Sequence, residues 1–107
     1  MTAMETLDFR FDSAPVPQAA DPALCGVVGS GNLEILVQAG AQPNACEVSI
    51  KTSARGFAST WQAVLASFAA SHPAGGTRIA INDMGATPAV VSLRLAQVLA
   101  EYQGGGQ

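Results

Sequence analysis

The sequence predicts an α+β two-layer sandwich, with a mostly antiparallel sheet and two helices packed on one of its faces. Three observations carry this. Short apolar or alternating stretches fill the chain up to residue 54, the apolar period then lengthens to that of a helix, and one more alternating stretch separates the two helical segments. The order is therefore strands, helix, strand, helix.

Leu7 to Phe11 alternates apolar and polar residues and reads as a strand; Ser13 to Pro22, with three prolines, reads as an irregular connection, so residues 1–22 are a strand and a loop. Cys25 to Val28 is a second strand, joined by a turn around Gly31-Asn32 to a third in which Leu33, Ile35 and Val37 alternate with Glu34, Leu36 and Gln38. A hairpin loop at Gly40 to Ala45, with Pro43 and Asn44, leads to a fourth strand carrying Val48, Ile50 and Thr52 on one face. Phe57, Trp61, Val64, Leu65 and Phe68 then fall on one face of a helix, so Phe57 and Trp61 are expected in the core. His72-Pro73 and Gly75-Gly76 end that helix, and Ile79 and Ile81 mark a fifth strand. Thr87 is an N-cap followed by Pro88 at the first helical position, where its missing N–H costs nothing. Val91, Leu95, Val98, Leu99 and Tyr102 form the stripe of the second helix, and residues 103–107 read as a flexible tail.

The chain of 107 residues suits one domain, and there is no internal repeat or low-complexity segment. With 49% hydrophobic and 12% charged residues it is poor in surface charge, so some uncharged surface is expected to meet partners. Five Lys and Arg, scattered, and a net charge of -3 give no footprint for nucleic acid. No apolar run approaches a membrane span and no secretory signal is recognisable at the start, which leads to the expectation of a cytoplasmic protein. Cys25 and Cys46 lack metal-ligand or redox spacing and are expected reduced; as strand neighbours they would be close.

The most informative chemistry-bearing residue is Ser30, set between Gly29 and Gly31. Its pattern fails as a nucleophile elbow, because Val28 and Asn32 stand where glycines are needed and the context is strand to strand. A hydrolase would also need a base, and the single histidine, His72, lies at a helix end. One His and two distant Cys make no metal site, and no glycine-rich loop opens a helix to cradle a nucleotide. The residues alone thus leave Gly29-Ser30-Gly31 either as a tight turn or as the attachment point of a carried group. Asp83 reads as a turn or capping aspartate, or else a partner contact; Arg55 and Arg94 read as solvated helix edges, with a phosphate contact the alternative.

Two longer strings resemble a known family. Val27-Val-Gly-Ser-Gly-Asn-Leu-Glu-Ile-Leu36 and Ile81-Asn-Asp-Met-Gly-Ala-Thr-Pro-Ala-Val-Val-Ser-Leu-Arg-Leu-Ala-Gln97 resemble the acyl carrier protein (delta subunit) family of malonate decarboxylases, in order and at about the family's spacing. The likeness covers nearly the whole chain. It implies a carrier rather than an enzyme, with no catalytic residue and no metal of its own. It also implies that Ser30 holds 2'-(5''-phosphoribosyl)-3'-dephospho-coenzyme A through a phosphodiester, with Gly29, Gly31 and Asn32 around the attachment. On that arm an acetyl thioester would exchange with malonate, and decarboxylation of the malonyl thioester would restore the acetyl form. Expected partners are the alpha, beta and gamma subunits of malonate decarboxylase, a malonyl acyltransferase, and the holo-carrier synthase (phosphoribosyl-dephospho-CoA transferase). Asn32 and Met84 depart from the family's usual aspartate and aromatic. The related carrier (gamma) subunit of citrate lyase is the nearest alternative, and an unmodified structural subunit of an acyl-transfer complex is another. A fatty-acid carrier, a helical bundle with an Asp-Ser-Leu motif, does not fit.

Overall fold

A computed structural model of the chain describes residues 4–16, 26–30 and 32–104, the side chains of 26–30 and 104 excepted. The elements are β1 (Glu5–Asp12), β2 (Gly26–Ser30), β3 (Leu33–Ala39), β4 (Ala45–Thr52), α1 (Ala58–Ser71), β5 (Thr77–Asp83) and α2 (Pro88–Gly104). They build a five-stranded sheet in the order β1-β4-β5-β3-β2. Only β4 and β5 run parallel, joined through α1 as a helical crossover; the other three pairs are antiparallel. The predicted fold class and element order are those observed.

Strict alternation decides which face is covered. Leu33, Ile35 and Val37 of β3, Cys46, Val48 and Ile50 of β4, and Ile79 and Ile81 of β5 are all buried. They align across the sheet, with Ile35 opposite Ile81 and Ile81 opposite Ile50. Both helices cover this face: Trp61, Leu65 and Phe68 of α1 and Val91, Leu95, Val98, Leu99 and Tyr102 of α2 complete one core. Glu34, Lys51, Arg78 and Asn82 occupy the intervening positions on the open face, where the Asn82 side-chain amide donates to Glu34 Oε1 at 3.3 Å. A solvated face of this kind suits an antiparallel sheet.

The far end of the sheet, away from the helix N-termini, is closed by the segment after β1. The Ser13 hydroxyl accepts from the Ala74 N–H at 2.9 Å and lies 2.9 Å from the Ala69 carbonyl and 3.1 Å from that of His72. It thereby supplies a side-chain partner at the C-terminal end of α1. A Cβ at Gly75 would collide with the carbonyls of Ser13 and Pro43, so only glycine fits that crossing.

One expectation needs correcting and a few fall short of a test. Phe57 is not in the core: it is the N-cap residue of α1, 51% exposed, because the chain turns through Gly56 at φ +85° and the helix starts only at Ala58. Cys46 is a buried free thiol, and the expected closeness of the two cysteines falls on Cys25, which lies outside the described residues. The expected irregular connection is described only to Val16. Helix α2 runs through Gly104, into the segment read as a tail, and 105–107 lie outside the described residues. Among the described residues no helix is long and apolar enough to cross a membrane.

Replacing Ile35, fully buried, by alanine should cost about 2–5 kcal/mol. Leu93→Ala, at a residue 55% exposed, should change stability by less than about 0.5 kcal/mol; urea unfolding of both variants checks this. Burial pushes the Cys46 thiol above its ordinary range, partly offset by the hydrogen bond with Thr77 and reinforced by Glu47. The folded chain then keeps a proton that the unfolded chain releases. Stability should therefore be unaffected by this thiol below about pH 8.5 and decline as the pH rises beyond it. Cys46→Val should remove that part of the decline in urea melts run between pH 7 and 10.

Candidate functional site

Ser30 is the last residue of β2, an edge strand, and pairs in register with Leu33. That pairing leaves only positions 31 and 32 for the turn, the two-residue connection typical of hairpins. Gly29 stands opposite Glu34. Asn32 is exposed in the turn, while Gly31 lies outside the described residues.

The register continues across the sheet. Leu33 pairs with Asp83, Asp83 with Thr52, and Thr52 with Glu5, so Ser30 and Asp83 lie in one row at one end of the sheet. With strands about 4.8 Å apart, their backbones are roughly 10 Å from each other. Both helices begin at this end, directly after β4 and β5.

Asp83 organises the row. It is 2% exposed, and one carboxylate oxygen accepts from the Thr52 hydroxyl at 2.8 Å. The other accepts from the Gly85 and Ala86 N–H groups at 3.2 and 2.8 Å. A buried carboxylate is tolerable only with such partners. The turn it folds needs Gly85 at φ +109°, a region costly for residues with a side chain. The turn then delivers Thr87, whose hydroxyl accepts from the Val90 N–H at 3.3 Å to cap α2 ahead of Pro88, as the sequence predicts. From the same turn the Met84 N–H donates to the Asn32 carbonyl at 2.9 Å, tying the Ser30 hairpin to the Asp83 loop. The turn-and-cap reading of Asp83 is the one observed; the sequence gave no sign of Thr52 as its partner.

Over this end, between the first turns of α1 and α2, lies a cavity of about 280 Å³. Its walls include Trp61, Val64, Asp83, Ala86 and Val91, with Phe57 and Thr60 exposed at the rim. Met84, 60% exposed, adds apolar surface on the same loop. Phe57 belongs to this rim because it precedes the helix, and the adjacent Gly56 was the sequence signal for that.

Among the described residues, His72, Arg55 and Arg94 are not gathered around Ser30. His72 is the C-cap of α1, its Nδ1 3.3 Å from the Phe68 carbonyl and its ring stacked on Phe68 at 5.0 Å. The helix of 14 residues carries it about 21 Å along the axis from the end where Ser30 sits. Arg55 is exposed, and Arg94 donates to Gln97 at 2.8 Å on the surface of α2. Among the described residues no group of three His, Cys, Asp or Glu could hold a metal ion.

The serine ends an edge strand beside a two-residue turn, and the tip is held by the Asn32–Met84 bond. The class of protein so defined is a small α+β domain presenting a serine on a braced hairpin. Comparison with known proteins supplies the family of such a domain. The family described as malonate decarboxylase delta subunit (MdcD) matches residues 20–102. The chain is 56% identical over 100 residues to the malonate decarboxylase acyl carrier protein of Burkholderia cepacia, covering 94% of this chain and 92% of that protein. It is 50% identical over 101 residues to the protein of the same name from Acinetobacter calcoaceticus, covering 94% and 99%. A chain in the crystal structure of a Pseudomonas malonate decarboxylase hetero-tetramer in complex with malonate is similar at 35% identity and a TM-score of 0.76, over 92% of this chain and 99% of that one. The chain belongs to the malonate decarboxylase delta subunit family.

Removing the Asp83 carboxylate strands two loop N–H groups and leaves the Thr52 hydroxyl only its contacts with Ala54. Asp83→Ala should therefore cost about 3 kcal/mol, roughly 12 °C in Tm. Hydrogen exchange at Met84 to Ala86 should accelerate in that variant more than at Ile79. Thr52→Val, which removes one donor, should cost less, about 1 kcal/mol.

Proposed function

We infer that this chain is the acyl carrier subunit of a malonate decarboxylase, working through 2'-(5''-phosphoribosyl)-3'-dephospho-coenzyme A joined to the Ser30 hydroxyl by a phosphodiester. One observation carries the reading: Ser30 ends an edge strand at a hairpin tip braced by the Asn32–Met84 bond, in a chain that matches the family over residues 20–102. The arm supplies a thiol on which acetyl and malonyl groups ride as thioesters, whose carbonyl can delocalise the charge left when carbon dioxide departs. The chain's own residues attach, hold and present. Gly29 and Gly31 leave room beside the phosphodiester, and Asn32 removes a negative charge that an aspartate would place there.

The tip has to be firm while the arm moves. A tethered group visits successive active sites at high effective concentration only if its anchor does not also wander. The Asp83 loop provides that anchor through Met84, and both helices start from the same end. The proposed partners are the other malonate decarboxylase subunits, a reading supported by the hetero-tetramer that holds the similar Pseudomonas chain, together with a malonyl acyltransferase and the synthase that attaches the arm. The proposed setting is the cytoplasm.

Intact-mass measurement of the chain from its native host growing on malonate, with tandem fragmentation, should place a phosphoribosyl-dephospho-coenzyme A adduct on Ser30. Ser30→Ala should abolish the adduct and leave the unfolding temperature nearly unchanged. An unmodified chain in such cells would overturn the carrier reading in favour of a structural subunit whose glycine-flanked serine only makes a turn.

A further inference from the structure

The cavity between the first turns of α1 and α2 plays no part in attaching the arm, yet it shares the sheet end with Ser30. Asp83, on its wall, is two strands from Ser30 in the same register row, and the Asn32–Met84 bond holds the hairpin tip against the loop that forms that wall. The backbone of the attachment residue and that of the Asp83 wall are therefore roughly 10 Å apart. The volume of about 280 Å³ is small for a whole ligand but ample for the end of an arm.

The lining selects by charge. Trp61, Val64, Ala86, Pro88 and Val91 offer apolar surface, and the one carboxylate on the wall, Asp83, already has its donors in Thr52, Gly85 and Ala86. A neutral acyl end gains by leaving water in such a place. An acyl end that terminates in a carboxylate would lose its hydration and meet Asp83 without a cation to offset it.

We propose that this cavity receives the acetyl thioester end of the arm on Ser30 and turns the malonyl end away. The inference rests on the carrier reading above. The resting acetyl form is then shielded from water between turnovers, while the malonyl form stays outside and available to the partner subunits. Tethering makes a weak site sufficient. At an effective concentration on the order of millimolar, an intrinsic affinity of ~0.1 mM gives about tenfold preference for the docked arm.

The test uses the full-length carrier in its apo, acetyl and malonyl forms. One readout is the emission of Trp61, the single tryptophan of the chain. The other is the rate of thioester cleavage by hydroxylamine, each form referenced to the same acyl group on free pantetheine. The acetyl carrier should shift Trp61 emission relative to the apo chain and be cleaved about tenfold more slowly than acetyl pantetheine, the malonyl carrier at nearly its reference rate. Thr60→Phe and Ala86→Leu, which narrow the opening from two different elements, should each abolish the protection while thermal melts show a folded chain. An acetyl carrier cleaved at its reference rate with unchanged Trp61 emission overturns the proposal, as does equal protection of the malonyl form. Mass spectrometry separates the two failures: no adduct on Ser30 defeats the carrier reading and this inference with it, whereas an adduct bearing an unprotected acetyl group defeats this inference alone.

Discussion

The Asp83 carboxylate is the constraint on which the working end of the molecule depends. It is buried, and burial of an unpaired charge would be prohibitive, so its three hydrogen bonds to Thr52, Gly85 and Ala86 are obligatory rather than ornamental. Making them fixes the end of β4, the turn after β5 and the start of α2 at once. The Met84 N–H of that turn then reaches the Asn32 carbonyl, so a side-chain interaction in the centre of the sheet positions a hairpin on its edge.

A division of labour follows. The core of Ile35, Ile50, Ile79, Ile81, Leu65, Leu95 and Val98 supplies stability and is indifferent to chemistry. The opposite end of the sheet is closed by Ser13 and the tight crossing at Gly75, beside a cavity of about 260 Å³ lined by Val16, Pro43 and Tyr102. At the end where the two helices begin, apolar side chains are exposed at Phe57 and Met84, and an apolar cavity opens beside them. In a chain with so few surface charges, this is the surface expected to face partner subunits and the arm.

Much of the fold was legible because its signals are local. Alternation in β3, β4 and β5 and the stripe of α2 from Val91 to Tyr102 report burial directly, and Thr87-Pro88 marks a helix start by chemistry alone. The sheet order was not legible: pairing β4 parallel to β5 inserts β5 between two segments that are neighbours in sequence, and no local pattern records it. Phe57 was misplaced for a related reason, since its spacing matches the helical stripe while Gly56 turns the chain before the helix begins. Within the site, Ser30 stood out through its glycines. The Thr52–Asp83 bond and the cavity arise only once distant strands come into register, so they had no signature in the sequence.

The arm proposed on Ser30 would make the row from Ser30 to Asp83 the working end of the molecule. Backbone amide NMR spectra of the apo and arm-bearing chains test it most directly. The predicted result is a set of shift changes concentrated at Asn32 and Leu33, at Met84 to Ala86 and in the first turns of α1 and α2, with Ala39 to Asn44 and Gly75 unmoved. Changes centred on the Gly75 end of the sheet, or spread evenly over the open face, would contradict it.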